Sequence, residues 1–257
     1  MKKLGKFLSK ILFWGLYLAL PIIILLIWKA ADIAGYIKPY TMPAPEKVLK
    51  TAGDILKNGT LINHIVASFF RVIEGFVIAS IFALILGIGI GLSKKLEVFT
   101  DITVQIIKPI PPIAWIPLAI LWFGIGEFSK IFIIVLGAFF PILLNVVDGI
   151  KNIDGKYLEL GKVYEVPKAK FIYGVILPGA LPSIMTGVRV GLGNAWVCVV
   201  AAEMIAATKG VGYMLTDGRN MSRPDLVILG MLIIGIVGKL MDDVLKRISI
   251  KITKWNQ

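Results

Sequence analysis

Tyr157-Leu-Glu-Leu-Gly-Lys-Val-Tyr-Glu-Val-Pro-Lys-Ala-Lys-Phe-Ile-Tyr-Gly-Val-Ile-Leu-Pro178 is a charged stretch set between two long apolar blocks. Charge is costly in a bilayer, so such a segment belongs at a membrane face, within reach of a soluble partner. Phe171, Ile172, Val175 and Ile176 recur at helical spacing and give it an apolar side. Glu159, Glu165, Lys168 and Lys170 supply charges that can pair with a partner surface. A short helix laid in a groove of another protein is one way such a segment docks. On the residues alone, a solvated loop without a partner is an equal reading.

The composition around this stretch is that of a membrane protein. Of 257 residues, 57% are hydrophobic, against about 45–50% in soluble domains. Mean hydropathy is +0.85. Several runs reach the ~18 apolar residues that a spanning helix needs, so one polytopic domain fits better than one or two soluble ones. The net charge of +12 comes from 28 Lys+Arg against 16 Asp+Glu. Positive-inside bias explains such an excess, and no soluble basic domain is present to bind nucleic acid. The single cysteine, Cys198, sits in an apolar run and makes no internal disulfide.

Six spans are expected. Ile11–Trp28 is the first, after Lys2, Lys3, Lys6 and Lys10, and it reads as an uncleaved span rather than a signal peptide. Residues 29–63 are polar, and Pro45-Glu46-Lys47 opens a short amphipathic helix for an outer surface. His64–Leu92 is the second span; Arg71 and Glu74 lie three apart on it and can pair. Gly87 and Gly91 have a small-xxx-small spacing that favours close helix packing, as do Gly187 and Gly191 in the fifth span.

Val98–Phe123 is the third span and carries four prolines, Pro109, Pro111, Pro112 and Pro117. They make it either a structural kink or the wall or gate of a cavity. Lys130–Ile150, Ala180–Ala206 and Asp225–Leu245 complete the set. Six spans put both termini on one side. That side, with the central stretch, the Lys94–Lys95 loop and the tail, carries 15 Lys+Arg against 8 on the other, which marks it as cytoplasmic.

Catalytic motifs are missing. One histidine, His64, and one cysteine cannot make an ordinary zinc site. Neither a phosphate loop of the Gly-x-x-x-x-Gly-Lys-Ser/Thr type nor a Gly-x-Ser-x-Gly elbow occurs. Arg189 and Glu203 are the charges deepest in apolar sequence, about 21 Å apart on a continuous helix. Each either faces a bundle interior or pathway, or sits near a membrane face: Arg189 towards the cytoplasm, Glu203 towards the exterior.

Glu159-Leu160-Gly161, three residues, Glu165, nine residues, Val175, one residue, Leu177-Pro178 resembles the cytoplasmic signature of binding-protein-dependent ABC importer permeases. That signature runs Glu-Ala-Ala, three residues, Gly, nine residues, Ile, one residue, Leu-Pro. Leu160 and Gly161 replace the two alanines, and Glu165 replaces the glycine. Val166-Pro167 is expected to supply the turn that the glycine usually permits. Leu121-Trp-Phe-Gly-Ile-Gly126, Pro178-Gly-Ala-Leu-Pro-Ser-Ile184, Gly187-Val-Arg189, Ala202-Glu203 and Gly210-Val-Gly-Tyr213 resemble the nitrate/sulfonate/taurine branch. The resemblance covers about residues 42 to 250.

It implies an all-α integral membrane protein of about six transmembrane helices, with the type I ABC importer permease fold and a cytoplasmic coupling helix. The implied segments are 1–62, an N-terminal span and outer segment; 63–250, a core of five spans containing the coupling segment 151–178; and 251–257, a basic tail. The implied partners are ABC ATPase subunits, an extracytoplasmic solute-binding protein, a second copy of the chain and membrane lipid. ATP and Mg would be bound by the ATPase, with no cofactor in this chain. The setting is a bacterial inner membrane.

Coupling is expected from Glu159, Gly161, Glu165, Lys168, Phe171, Leu177 and Pro178, and pathway or gate lining from Trp115, Asn194, Trp196 and Glu203. The solute is a small anion or zwitterion such as a sulfonate, taurine or nitrate, or else a vitamin or pyrimidine precursor. An ion-coupled secondary transporter is the alternative, although paired intramembrane carboxylates and a repeat are not evident.

Overall fold

A computed structural model describes residues 2–38 and 40–254, without the side chains of residues 2–14, 158, 160 and 162. Pro39 and the end of the basic tail, Trp255–Gln257, lie outside the described residues. Every element among the described residues is helical. Five helices are long and apolar enough to span a membrane, on Gly15–Ile33, Thr60–Leu92, Glu127–Lys151, Lys168–Ala206 and Pro224–Ile252. A bent pair, Lys94–Ile107 with Pro112–Phe123, makes a sixth if counted as one span.

The chain divides into two units. The first comprises Met1–Leu61 and Leu215–Met231. It holds α1 (Lys2–Ile33), α2 (Pro45–Lys57) and the neighbouring parts of α10 (Val211–Asn220) and α11 (Pro224–Ile252). α1 ends in a left-handed turn at Gly35, where Tyr36 N–H donates to the Ala31 carbonyl at 3.1 Å. Lys29 then bridges to Glu46 in the first turn of α2 at 2.8 Å, and its ammonium lowers the pKa of the Glu46 carboxyl. α2 is fastened by buried Thr51, whose hydroxyl donates to the buried carboxylate of Asp225 at 2.7 Å.

The second unit, Ile62–Met214 with Leu232–Gln257, contains the core. Its centre is α6 (Glu127–Lys151), whose Ile134, Ala138, Ile142, Leu143 and Val146 are fully buried or nearly so. α3 (Thr60–Leu92) runs parallel to it: Gly75, Gly87 and Gly91 face Ile134, Val146 and Ile150 in turn. α9 (Leu177–Ala206) runs antiparallel: Gly187 faces Asn145 and Gly191 faces Ile142. A Cβ on any of these five glycines would come within 3 Å of α6 side chains. Lipid offers no hydrophobic drive for helices to associate, so this close approach and its dispersion contacts hold the bundle.

Because α3 and α6 are parallel, the chain must return between them. α4 (Lys94–Ile107), a 3₁₀ turn at Pro112–Trp115 and α5 (Ile116–Phe123) make that return with an 84° bend. The bend falls on Pro109, Pro111 and Pro112, where helical donors run out. Pro117 sits in the first turn of α5, where proline is tolerated.

Candidate functional site

At one end of the α6–α9 pair the chain forms a helix hairpin. α7 (Gly155–Val163) begins at Asp154, whose Oδ1 accepts from Lys156 N–H at 3.0 Å. It ends when Val166 N–H donates to the Gly161 carbonyl at 3.0 Å, with Glu165 left-handed at φ 50°. This is a Schellman cap with Glu165 at the position that glycine usually takes. The turn expected at Val166-Pro167 is therefore made one residue earlier. Pro167 instead opens α8 (Lys168–Phe171), which passes through a π turn at Ile172–Ile176 into α9.

The Phe171 ring lies on Gly161, where a Cβ would come within 2.6 Å of it. Phe171 and Ile172 pack on the core and Ile176 is buried. The apolar side read as a docking face thus seats the hairpin on its own bundle. The residues left outward include Glu159, Glu165, Lys168 and Lys170, with exposed Val163, Tyr164 and Tyr173. Those three apolar and aromatic residues were not singled out from the sequence. Leu177 and Pro178 are half-buried at the start of α9.

The other end is a network of charge built on buried Glu203 and reaching out to exposed Glu127. Glu203, 1% exposed, accepts from Arg71 Nη1 at 2.8 Å, from Ser68 Oγ at 2.8 Å and from Gly212 N–H at 2.9 Å. Arg71 also donates to the Lys209 carbonyl at 2.6 Å and through Nη2 to Glu127 at 2.8 Å. Lys130 completes the cluster on Glu127 at 2.9 Å. Gly210 N–H donates to His64 Nδ1 at 3.1 Å. Arg71 was read as pairing with Glu74 by spacing; it pairs with Glu203 and Glu127, while Glu74 is exposed. One signal in the sequence did point inward: His64, Ser68 and Arg71 share a face of α3 at helical spacing.

Between the two ends lies a half-open pocket of about 200 Å³, lined by Lys108, Pro112, Trp115, Phe140, Pro141 and Asn194 among others. Trp115 stands edge-on to Phe132, ring centroids 6.5 Å apart. Of the residues expected to line a pathway, Trp115 and Asn194 share this pocket; Trp196 and Glu203 do not line it.

Residues 75–249 match the family described as binding-protein-dependent transport system inner membrane component. The chain belongs to that family. TauC, the taurine transport system permease protein of Escherichia coli, is 34% identical over 91% of this chain and 87% of its own length. NrtB, the nitrate import permease protein of a Synechocystis species, is 33% identical over 78% and 76%. SsuC of Bacillus subtilis, named for aliphatic sulfonates transport, is 38% identical over 94% and 88%. These relatives place the permease in the sulfonate/taurine/nitrate branch.

A chain of the MetNI methionine ABC transporter in an inward-facing conformation superimposes with a TM-score of 0.62. It is 18% identical and covers 73% of this chain and 95% of that one. The likeness shows the fold, that of a type I importer permease.

Within the permease, the remaining residues tie helices together. Trp196 is buried; its indole N–H donates to the Ile234 carbonyl on α11 at 3.0 Å and its ring covers Gly238. Arg189 clasps Asp242 on α11, donating from Nε to Oδ1 at 3.1 Å and from Nη2 to Oδ2 at 3.0 Å. Such planar bidentate pairs fix orientation as well as charge.

Proposed function

We propose that this permease is the membrane subunit of an ATP-driven importer for a small anionic or zwitterionic solute such as a sulfonate, taurine or nitrate. An extracytoplasmic binding protein delivers the solute to a homodimer of the chain in a bacterial inner membrane. Two ATPase subunits bind ATP and Mg and dock from the cytoplasm. The chain carries no bond chemistry: it converts the closure of its partners into a change of access along the helices. The segmentation into 1–62, the 63–250 core with coupling segment 151–178, and the 251–257 tail goes with this reading. So does the cytoplasmic placement of both termini, which rests on the charge bias.

The observation that carries the proposal is the α7–α8 hairpin. It presents charge outward, and it joins α6 and α9, two helices in close glycine-mediated contact. A push on it reaches both. Co-purification of a tagged chain with its ATPase tests this, comparing wild type with Glu159→Ala and Glu165→Lys. Recovery of ATPase is expected to fall at least fivefold for Glu165→Lys, a loss of about 1 kcal/mol of docking energy. Full recovery with both variants would move docking to another surface. Absence of any ATPase with wild type would favour a secondary transporter.

A further inference from the structure

Lys108 occupies an unusual place for an unpaired cation. It follows the last turn of α4 and lines the pocket shared by Trp115 and Asn194. The wall that α6 contributes runs from Leu136 to Leu144, the middle of Glu127–Lys151. On α9 the lining residue is Asn194, near the middle of Leu177–Ala206. The pocket therefore lies at mid-depth of the bundle, where a lone ammonium is costly unless it faces water or a ligand. Among the described residues neither the Lys108 ammonium nor the Asn194 amide has an intramolecular hydrogen bond or ion pair. The charges that reach into the bundle elsewhere in the unit include Arg71 with Glu127 and Glu203, Lys130 with Glu127 and Arg189 with Asp242, each of them paired.

We propose that Lys108 and Asn194 form an anion subsite in this pocket, taking the sulfonate or comparable oxyanion group of a passing solute against the walls of Trp115 and Phe140. The proposal rests on the importer reading above and adds the residues that recognise charge. An ammonium and an amide both donate to oxyanion oxygens, and the aromatic walls accept a short hydrocarbon chain. The pocket is smaller than the usual ~300–1,000 Å³ of drug-sized sites, which suits a solute of few non-hydrogen atoms. A single cation gives weak retention, as a transit site requires: strong enough to admit the solute, too weak to trap it.

The test reads the field of the pocket directly. Leu136→Cys, introduced into the full chain with Cys198→Ser, places one thiol on the pocket wall. The chain is reconstituted in phosphatidylcholine vesicles, and reaction with methanethiosulfonate ethylsulfonate is compared with its trimethylammonium counterpart. The first probe carries the sulfonate itself. The anionic-to-cationic rate ratio is expected to fall about tenfold on Lys108→Gln. It is expected to hold with Lys108→Arg and to fall with Asn194→Asp.

A ratio unchanged by Lys108→Gln would overturn the proposal, and so would a ratio that falls equally with Lys108→Arg, which would report a lost fold. A ratio that collapses when phosphatidylglycerol is added would assign the site to lipid headgroups instead, and that too would overturn it. The reaction needs neither ATP nor a binding protein. A chain that imports no anion would therefore fail the importer reading while this ratio still reports on Lys108.

Discussion

The two ends of the α6–α9 pair are built on opposite principles. At the Glu203 end, charged side chains from α3, α6 and α9 meet across 132 and 56 residues of sequence; Glu203 itself is buried, its contact with Arg71 is part-buried, and Glu127 closes the network from an exposed position. At the α7–α8 end, the hairpin is shaped by neighbours: a Schellman cap closed over five residues and a ring ten residues away lying on a glycine. Long-range charge pairs fix helices against one another and resist being drawn apart. Local geometry makes a stiff small lever that can still move as a unit. A transporter driven by a partner has use for one end that holds register and another that receives force.

The largest effect is expected from breaking the first end. Glu203→Ala would leave Arg71 and the Ser68 hydroxyl facing a void. Removing one partner of a buried ion pair costs ~3–5 kcal/mol, because the other charge stays desolvated. Glu203→Gln keeps the shape and some hydrogen bonds and should cost less. Denaturant unfolding in mild detergent measures the order Ala, then Gln, then wild type. A Glu203→Ala protein as stable as wild type would mean that water already reaches Arg71. Gly210 adds a second handle. A Cβ there would collide with the Glu203 carboxylate, so Gly210→Ala should disturb the same network.

The sequence showed the spans because apolar runs and lipid-facing helices obey one rule, and it showed the bend because prolines at 109, 111 and 112 leave no helical donors. A turn between short helices after Glu159 was implied by the resemblance to the permease signature, whereas the residues alone left a solvated loop as an equal reading. Three features were hidden for physical reasons. Arg71 has a carboxylate three residues away at Glu74, and local spacing says nothing of carboxylates 56 and 132 residues further on. Phe171 and Ile176 give an amphipathic pattern, but a pattern does not say whether its apolar side meets a partner or the chain's own core. Lys108 falls within the third span beside a proline run, and nothing in its spacing shows that the 84° bend carries it to the pocket.

Crowding Gly161 should have an intermediate effect and should be confined to the second end. A Val side chain would force the Phe171 ring off its seat, an overpacking cost of ~1–3 kcal/mol. Trypsin should then cut faster at Lys156, Lys168 and Lys170, while stability of the bundle against denaturant changes little. Adding Phe171→Leu to Gly161→Val should restore much of the resistance by returning space. Loss of global stability instead would show that the hairpin is continuous with the core rather than a separate lever.

The smallest effect sharpens the contrast most. Glu165 holds φ at 50°, a conformation that costs a side-chain-bearing residue ~1 kcal/mol relative to glycine. Glu165→Gly should relieve that strain and slow tryptic cleavage of the hairpin by a few-fold, even though a charge is lost. Glu165→Val, with a branched Cβ in the same conformation, should speed cleavage. The two variants then separate backbone from charge. If Glu165→Gly keeps the hairpin intact yet releases the ATPase, the carboxylate is the docking group. If it keeps both, Glu165 is there for the turn, and docking falls to Glu159, Lys168 and the exposed Tyr164.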